Sequence, residues 1–134
     1  MSLKLTKEEQ YGIIALLDLF QTSPNDVARV KNIAQRQNIP QRFLEQIFAK
    51  LRAAEIVSGK RGPSGGYRLC KTADQITLNS VINALRQETV QEVSEFSEAP
   101  EFTSPLARTV NSAWNDLSDS FIKSLDNVTL EQLL

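Results

Sequence analysis

The stretch from Val30 to Leu69 constrains the fold more than any other part of the chain. Ile33, Ala34 and Ile39 turn a short helix inward, and Asn38-Ile39-Pro40 breaks it. Pro40 suits the first turn of a new helix, where its missing N–H costs nothing. In that second helix Leu44, Ile47, Phe48 and Leu51 recur at i, i+3, i+4 and i+7, one apolar face of a 3.6-residue period. The face turned away carries Arg42, Glu45, Gln46 and Ala49. These are short or hydrogen-bonding side chains with a cation near the helix N-terminus, a composition suited to base edges and phosphates.

After Ala54 the pattern changes to that of strands. Ile56-Val57-Ser58 and Tyr67-Arg68-Leu69 can pair as an antiparallel ribbon around Gly59-Lys60-Arg61-Gly62-Pro63-Ser64-Gly65-Gly66. Four of the chain's five glycines fall in this stretch, which suits a tight exposed tip. A narrow loop bearing Arg61, with Lys60 before it, can enter a minor groove. An ordinary hairpin with solvated cations is the alternative for the ribbon alone, and it loses weight directly behind an amphipathic helix–turn–helix.

Phe43-Leu44-Glu45-Gln46-Ile47-Phe48, Leu51-Arg52 and the wing from Val57 through Arg61-Gly62-Pro63-x-Gly65-Gly66-Tyr67-x-Leu69 carry a family likeness. The chain resembles the Rrf-type bacterial transcription regulators, which include IscR, NsrR and CymR, from Leu5 and Tyr11 to Asn127-Val128-Thr129-Leu130. The resemblance implies a winged helix-turn-helix dimer joined by a long C-terminal helix. It also implies DNA contacts at Pro40, Arg42, Phe43, Glu45, Gln46 and Arg61. Pro40 and Arg42 stand where IscR has small hydroxyl residues, so an operator sequence does not transfer.

The net charge of -1 conceals a division. Residues 1–76 hold 12 Lys/Arg against 7 Asp/Glu, a net of +5, and residues 77–134 hold 3 against 9, a net of -6. A basic front and an acidic rear are compatible with DNA binding, because affinity follows local basic surface. Lys4 and Lys7 could reach phosphates or be solvated surface lysines. No apolar run approaches the roughly 18 residues of a membrane span, and no secretory layout opens the chain, so the expected compartment is the cytoplasm.

Thr6-x-x-Glu9 is a capping box opening a helix to about Phe20, with Ile13, Leu16, Leu17 and Phe20 on one face. Ser23-Pro24-Asn25-Asp26 is a turn, and Val27 to Val30 a candidate short strand supporting the wing. Thr72 to Asp74 should start another helix, with Ile76, Leu78, Val81, Ile82 and Leu85 buried. Gln87 to Pro105 carries five glutamates, two prolines and no Lys or Arg, and reads as a loop. From Pro105, Leu106, Val110, Ala113, Trp114, Leu117, Phe121, Leu125 and Val128 follow alternating three- and four-residue steps. Such a seam wants a second copy, with packing on the chain's own core as the alternative. Thr129-Leu130-Glu131-Gln132 can cap a final turn docking on the wing domain of either subunit.

The resemblance implies a place for an iron–sulfur cluster in the 87–111 region, where cluster-bearing relatives supply three cysteines and a histidine or another residue. Arg108 falls near a family cysteine and Asn111 near the IscR-type histidine. The chain has no histidine and one cysteine, Cys70, whereas such clusters are held mainly by thiolates. No cofactor and no metal site are therefore expected. Cys70 reads as a small, partly buried hydrophobe, with a redox switch as the lesser alternative. Without histidine there is no His-based triad or histidine metal site, and Gly62-x-x-Gly65-Gly66 is not followed by Gly-Lys-Ser/Thr as a phosphate loop requires.

The expected architecture is mostly α with a small β-wing. A winged helix-turn-helix domain spans 1–86, an acidic linker 87–104, and a dimerisation helix with a terminal turn 105–134. The expected function is sequence-specific regulation of transcription by a homodimer on double-stranded DNA, not enzymatic and without a membrane partner. Arg42 and Gln46 are expected at base edges or adjoining phosphates of the major groove, flanked by Gln41 and Phe43; Glu45 can accept from a cytosine amine or exclude other bases, with a helix-surface residue paired to a cation as the alternative. Arg61, helped by Lys60, is expected in the minor groove. Leu106, Val110, Trp114, Leu117, Phe121 and Leu125 are expected in the dimer interface. The source of signal stays open among a small-molecule effector in the dimer cleft, a regulatory protein and oxidation of Cys70. The alternatives are a winged-helix protein-interaction module without DNA binding, and a regulator holding a cofactor by unusual ligands.

Overall fold

The computed structural model describes residues 5–23, 26–62, 65–86 and 104–134. Lys4, the Pro24-Asn25 part of the first turn, Pro63-Ser64 of the wing tip and the acidic stretch 87–103 lie outside the described residues. The elements are α1 (Lys7–Thr22), α2 (Val30–Gln37), α3 (Gln41–Ala53), β1 (Val57–Lys60), β2 (Gly66–Leu69), α4 (Leu78–Leu85) and α5 (Pro105–Asp126), followed by a 3-10 turn at Glu131–Leu133.

The capping box of α1 closes as its spacing predicts. Glu9 N–H donates to Thr6 Oγ1 at 3.1 Å, and Thr6 N–H donates to Glu9 Oε1 at 2.7 Å. The buried stripe is rotated slightly from the predicted one. Leu16 and Leu19 are fully enclosed, while Leu17 and Phe20 are only half-buried. On α3, Leu44, Ile47, Phe48 and Leu51 are all fully buried, so the apolar face is the predicted one. Asn38 ends α2 in the left-handed conformation at φ 54°, which a short amide side chain tolerates. Pro40 stands at the N-cap of α3, one position before its first turn.

Two expected boundaries move. The strand expected over Val27 to Val30 shrinks to a single bridge, in which Ala28 and Tyr67 exchange hydrogen bonds of 2.9 and 2.8 Å. Val30 already opens α2, its side chain buried with Ile33 and Ala34. The helix expected from Thr72 begins only at Leu78, behind Thr77, whose hydroxyl accepts from Ser80 N–H at 3.1 Å. The preceding backbone is committed elsewhere: Leu78 N–H donates to Val128 O at 2.8 Å and Leu130 N–H to Ile76 O at 2.9 Å. A carbonyl and an amide spent on such a pair cannot also close helical turns. The same pair seats fully buried Leu130 in the chain's own core, which decides where the terminal turn docks.

A buried carboxylate ties α1 to α2. Asp18 Oδ1 accepts from Arg36 Nη2 at 2.7 Å, and its Oδ2 accepts from Gln37 Nε2 at 2.7 Å. Burial raises the Asp18 pKa, but the hydrogen bonds from Arg36, Gln37 and Thr22 together outweigh it and hold the carboxyl below its ordinary value. A depressed carboxylate contributes stability that is fully present above the unfolded value, about 3.9, and is lost as pH falls through the folded value. Urea melts between pH 7 and pH 2 are therefore expected to show a steeper acid loss for the natural chain than for Asp18→Asn. Equal pH slopes would contradict the account.

The helix α5 rests on α4 near its C-terminal end, where Asn79 Nδ2 donates to Asp126 Oδ1 at 2.8 Å. No residue of α5 is buried. Leu106 is 80% exposed, Val110 63%, Trp114 46% and Leu117 64%, so the chain's own core does not cover this seam. Phe121 and Leu125, nearer α4, are half-buried.

Candidate nucleic-acid interface

Burial of its apolar face sets the orientation of α3. Gln41, Arg42, Glu45 and Gln46 are left exposed, as is Pro40 at the N-cap. Gln41 Nε2 donates to Glu45 Oε1 at 3.2 Å, a one-turn contact that stiffens this face. Phe43, expected to flank Arg42, also packs inward. It is half-buried, with its ring edge-on to Tyr11 at 5.6 Å and 84°, so it braces α3 against α1.

The ribbon is held to α3 by an aromatic stack. Phe48 and Tyr67 lie 4.9 Å apart with an interplanar angle of 27°. The strands pair in the register Val57↔Leu69, Ser58↔Arg68, Gly59↔Tyr67 and Lys60↔Gly66. Gly66 has φ 153°, and a Cβ there would lie 2.4 Å from Ala28 O. Only glycine lets the ribbon approach the Ala28 backbone this closely. At the tip Gly65 N–H donates to Gly62 O at 2.9 Å, with Lys60 and Arg61 exposed beside it.

Between α3 and the ribbon runs a groove of about 440 Å³. Gln41 and Glu45 line it from α3, and Lys60 and Arg61 from the tip. Pro40, Arg42 and Gln46 lie outside it on the exposed α3 surface. Three cations absent from the expected set also line the groove: Arg29, Lys31 and Arg52. Arg52 was findable, since it continues the 41, 45 line down the helix face. Arg29 and Lys31 flank the groove where Ala28 bridges Tyr67, the remnant of the strand expected to support the wing.

Cys70 corrects an expectation. It is exposed, not partly buried. It follows half-buried Leu69 at the end of β2, and alternation turns it outward. The whole chain holds no histidine and one cysteine, and Arg108 and Asn111 lie on α5. Among the described residues, no group of three or more His, Cys, Asp or Glu side chains could hold a metal ion. No described helix is long and apolar enough to cross a membrane.

A family model described as "Rrf2: Iron-dependent Transcriptional regulator" matches residues 5–134. The chain is 37% identical over 131 residues to slr0846 of Synechocystis sp., whose name makes it a candidate HTH-type transcriptional regulator. That match covers 98% of this chain and 87% of the relative. It is 35% identical over 133 residues to the HTH-type transcriptional regulator IscR of Vibrio campbellii, covering 98% and 77%. Among solved structures, CymR of B. subtilis, described as its global cysteine regulator, matches with a TM-score of 0.76 at 30% identity. That match covers 98% of this chain and 96% of the other.

Proposed function

This chain belongs to the Rrf2 family of transcriptional regulators, and from that premise we propose that two copies read one DNA duplex through paired α3 helices and wings. It is a DNA-binding winged-helix regulator and not an enzyme. The observation that carries the finer reading is the convergence of an exposed polar α3 face and a glycine-rich arginine tip on one cation-lined groove.

In this reading Arg42 and Gln46 meet base edges or adjoining phosphates in the major groove, with Pro40 and Gln41 at the helix entrance. Glu45 accepts from a cytosine amine and disfavours bases that offer only acceptors. Phe43 supports the helix without reading bases. Arg61 enters the minor groove, helped by Lys60, while Arg29, Lys31 and Arg52 neutralise the intervening backbone. Arg61→Ala is expected to weaken binding about tenfold or more, for a loss of about 1–3 kcal/mol. Fluorescence anisotropy at fixed salt, on the tightest duplex selected in vitro by the full chain, measures this. Unchanged affinity would remove Arg61 from the reading.

The exposed α5 seam supports a second copy as its cover, and a DNA partner puts the dimer in the cytoplasm. The missing thiolates and imidazoles support a regulator without a cysteine-ligated cluster, so the signal enters through a small effector, a regulatory protein or oxidation of the exposed Cys70. Anaerobically purified protein is expected to be colourless. Stoichiometric iron and sulfide would refute that assignment.

A further inference from the structure

The wing has two faces, and cations line both. Side chains alternate across a strand, so the Gly59–Tyr67 pair lies on one face and the Ser58–Arg68 pair on the other. The first face bounds the groove toward α3. The second bounds a separate groove of about 420 Å³, whose far wall is the stretch from Ser23 to Arg36. Arg29, Arg36, Lys60 and Arg68 line this outer groove, with Asp26 as its acid. Apart from Val27 and Ala28 and the backbone of Gly65, its lining is polar, which suits a phosphodiester better than an apolar effector. Arg36 is held in place by Asp18, through Nε at 3.1 Å and Nη2 at 2.7 Å. Arg68 is exposed and forms no ion pair among the described residues.

We propose that this outer face binds the phosphates of the DNA strand on the far side of the minor groove, with Arg68 as its principal contact. The proposal rests on the DNA-reading geometry proposed above. A B-form minor groove is about 6 Å wide and is walled by two backbones. A sheet with the side chains of both faces is about 10 Å thick. Only the tip therefore enters, and each flank of the ribbon faces one wall. The backbone separating the α3 groove from the wing groove runs along the inner face, past Lys31, Arg52 and Arg61. The second backbone runs along the outer face, past Arg68 and Arg36, with Arg29 and Lys60 on the ridge between the two.

The test uses the full chain and the in-vitro-selected duplex, carrying neutral methylphosphonate linkages in one strand or the other across the minor groove. Arg68→Ala is expected to bind about fivefold more weakly at 0.15 M salt, with the slope of log K against log salt reduced by about one per wing. Arg68→Lys restores that slope. Far-strand methylphosphonates weaken the natural chain more than they weaken Arg68→Ala, which keeps only the Arg36 side of that contact, whereas near-strand ones weaken both equally. An Arg68→Ala slope equal to the natural one, or a loss that adds in full to every far-strand substitution, overturns the assignment. If the natural chain selects and binds no duplex, the DNA geometry fails and this proposal fails with it. Tight natural binding indifferent to Arg68 overturns the outer face alone.

Discussion

A chain carrying Val110→Glu and Leu117→Glu together is expected to sediment as a monomer and to lose two or more orders of magnitude in duplex affinity. Both side chains are more than half exposed in the single chain, on a helix with no buried residue. Their replacement therefore removes nothing from the core, and the unfolding transition of the protomer should survive. In a two-fold assembly each substituted position occurs twice in a self-complementary patch. Four carboxylates would have to be desolvated against apolar neighbours, in place of contacts worth about 1.5–3 kcal/mol for each buried aliphatic side chain. Separated protomers lose the intramolecular second binding event, a factor of about 10² to 10⁴. Analytical ultracentrifugation with and without duplex measures both consequences. A variant that stays dimeric would place the interface elsewhere.

The second large effect lies at the junction of α1 and α4. Arg86→Met is expected to destabilise the fold by about 3–5 kcal/mol, the cost of removing one partner from a buried ion pair. The Glu9 side chain is fully enclosed and that of Arg86 only 12% exposed. Glu9 Oε1 accepts from Arg86 Nη2 at 2.8 Å and from Thr6 N–H at 2.7 Å, while Oε2 faces Arg86 Nε. Without the guanidinium, an enclosed carboxylate keeps only the cap amide. In a chain of this size each kcal/mol lowers Tm by about 3–5 °C, so calorimetry should show a fall of about 10–20 °C. Glu9→Gln, which keeps the cap acceptor but removes the charge, should share most of the loss. The Glu9→Gln/Arg86→Met pair should lose less than the two single effects combined. Full additivity would mean that the two groups act independently.

The main elements were legible because their signals are local. The Thr6 and Glu9 box, the α3 stripe, the wing glycines and the α5 seam each rest on neighbours a few residues apart. Boundaries failed where a distant segment competed for the same backbone. The start of α4 could not be placed from Thr72 to Leu78, because the pairing that delays it comes from residues 128–130. The candidate site divides the same way. The exposed α3 face and the Arg61 tip follow from periodicity and turn chemistry, and the redirection of Phe43 onto Tyr11 does not.

What the amino-acid sequence determined by itself was a helix–turn–helix with a glycine-tipped ribbon, an apolar seam in search of cover, and the lack of cluster ligands. Those conclusions need only spacing and composition, which survive in any conformation. Only the tertiary structure decided that Arg29 and Lys31 share a groove with the wing, that Leu130 fills the chain's own core, and that Cys70 faces outward. Each of these depends on which remote surfaces meet, and packing settles that for the whole molecule at once.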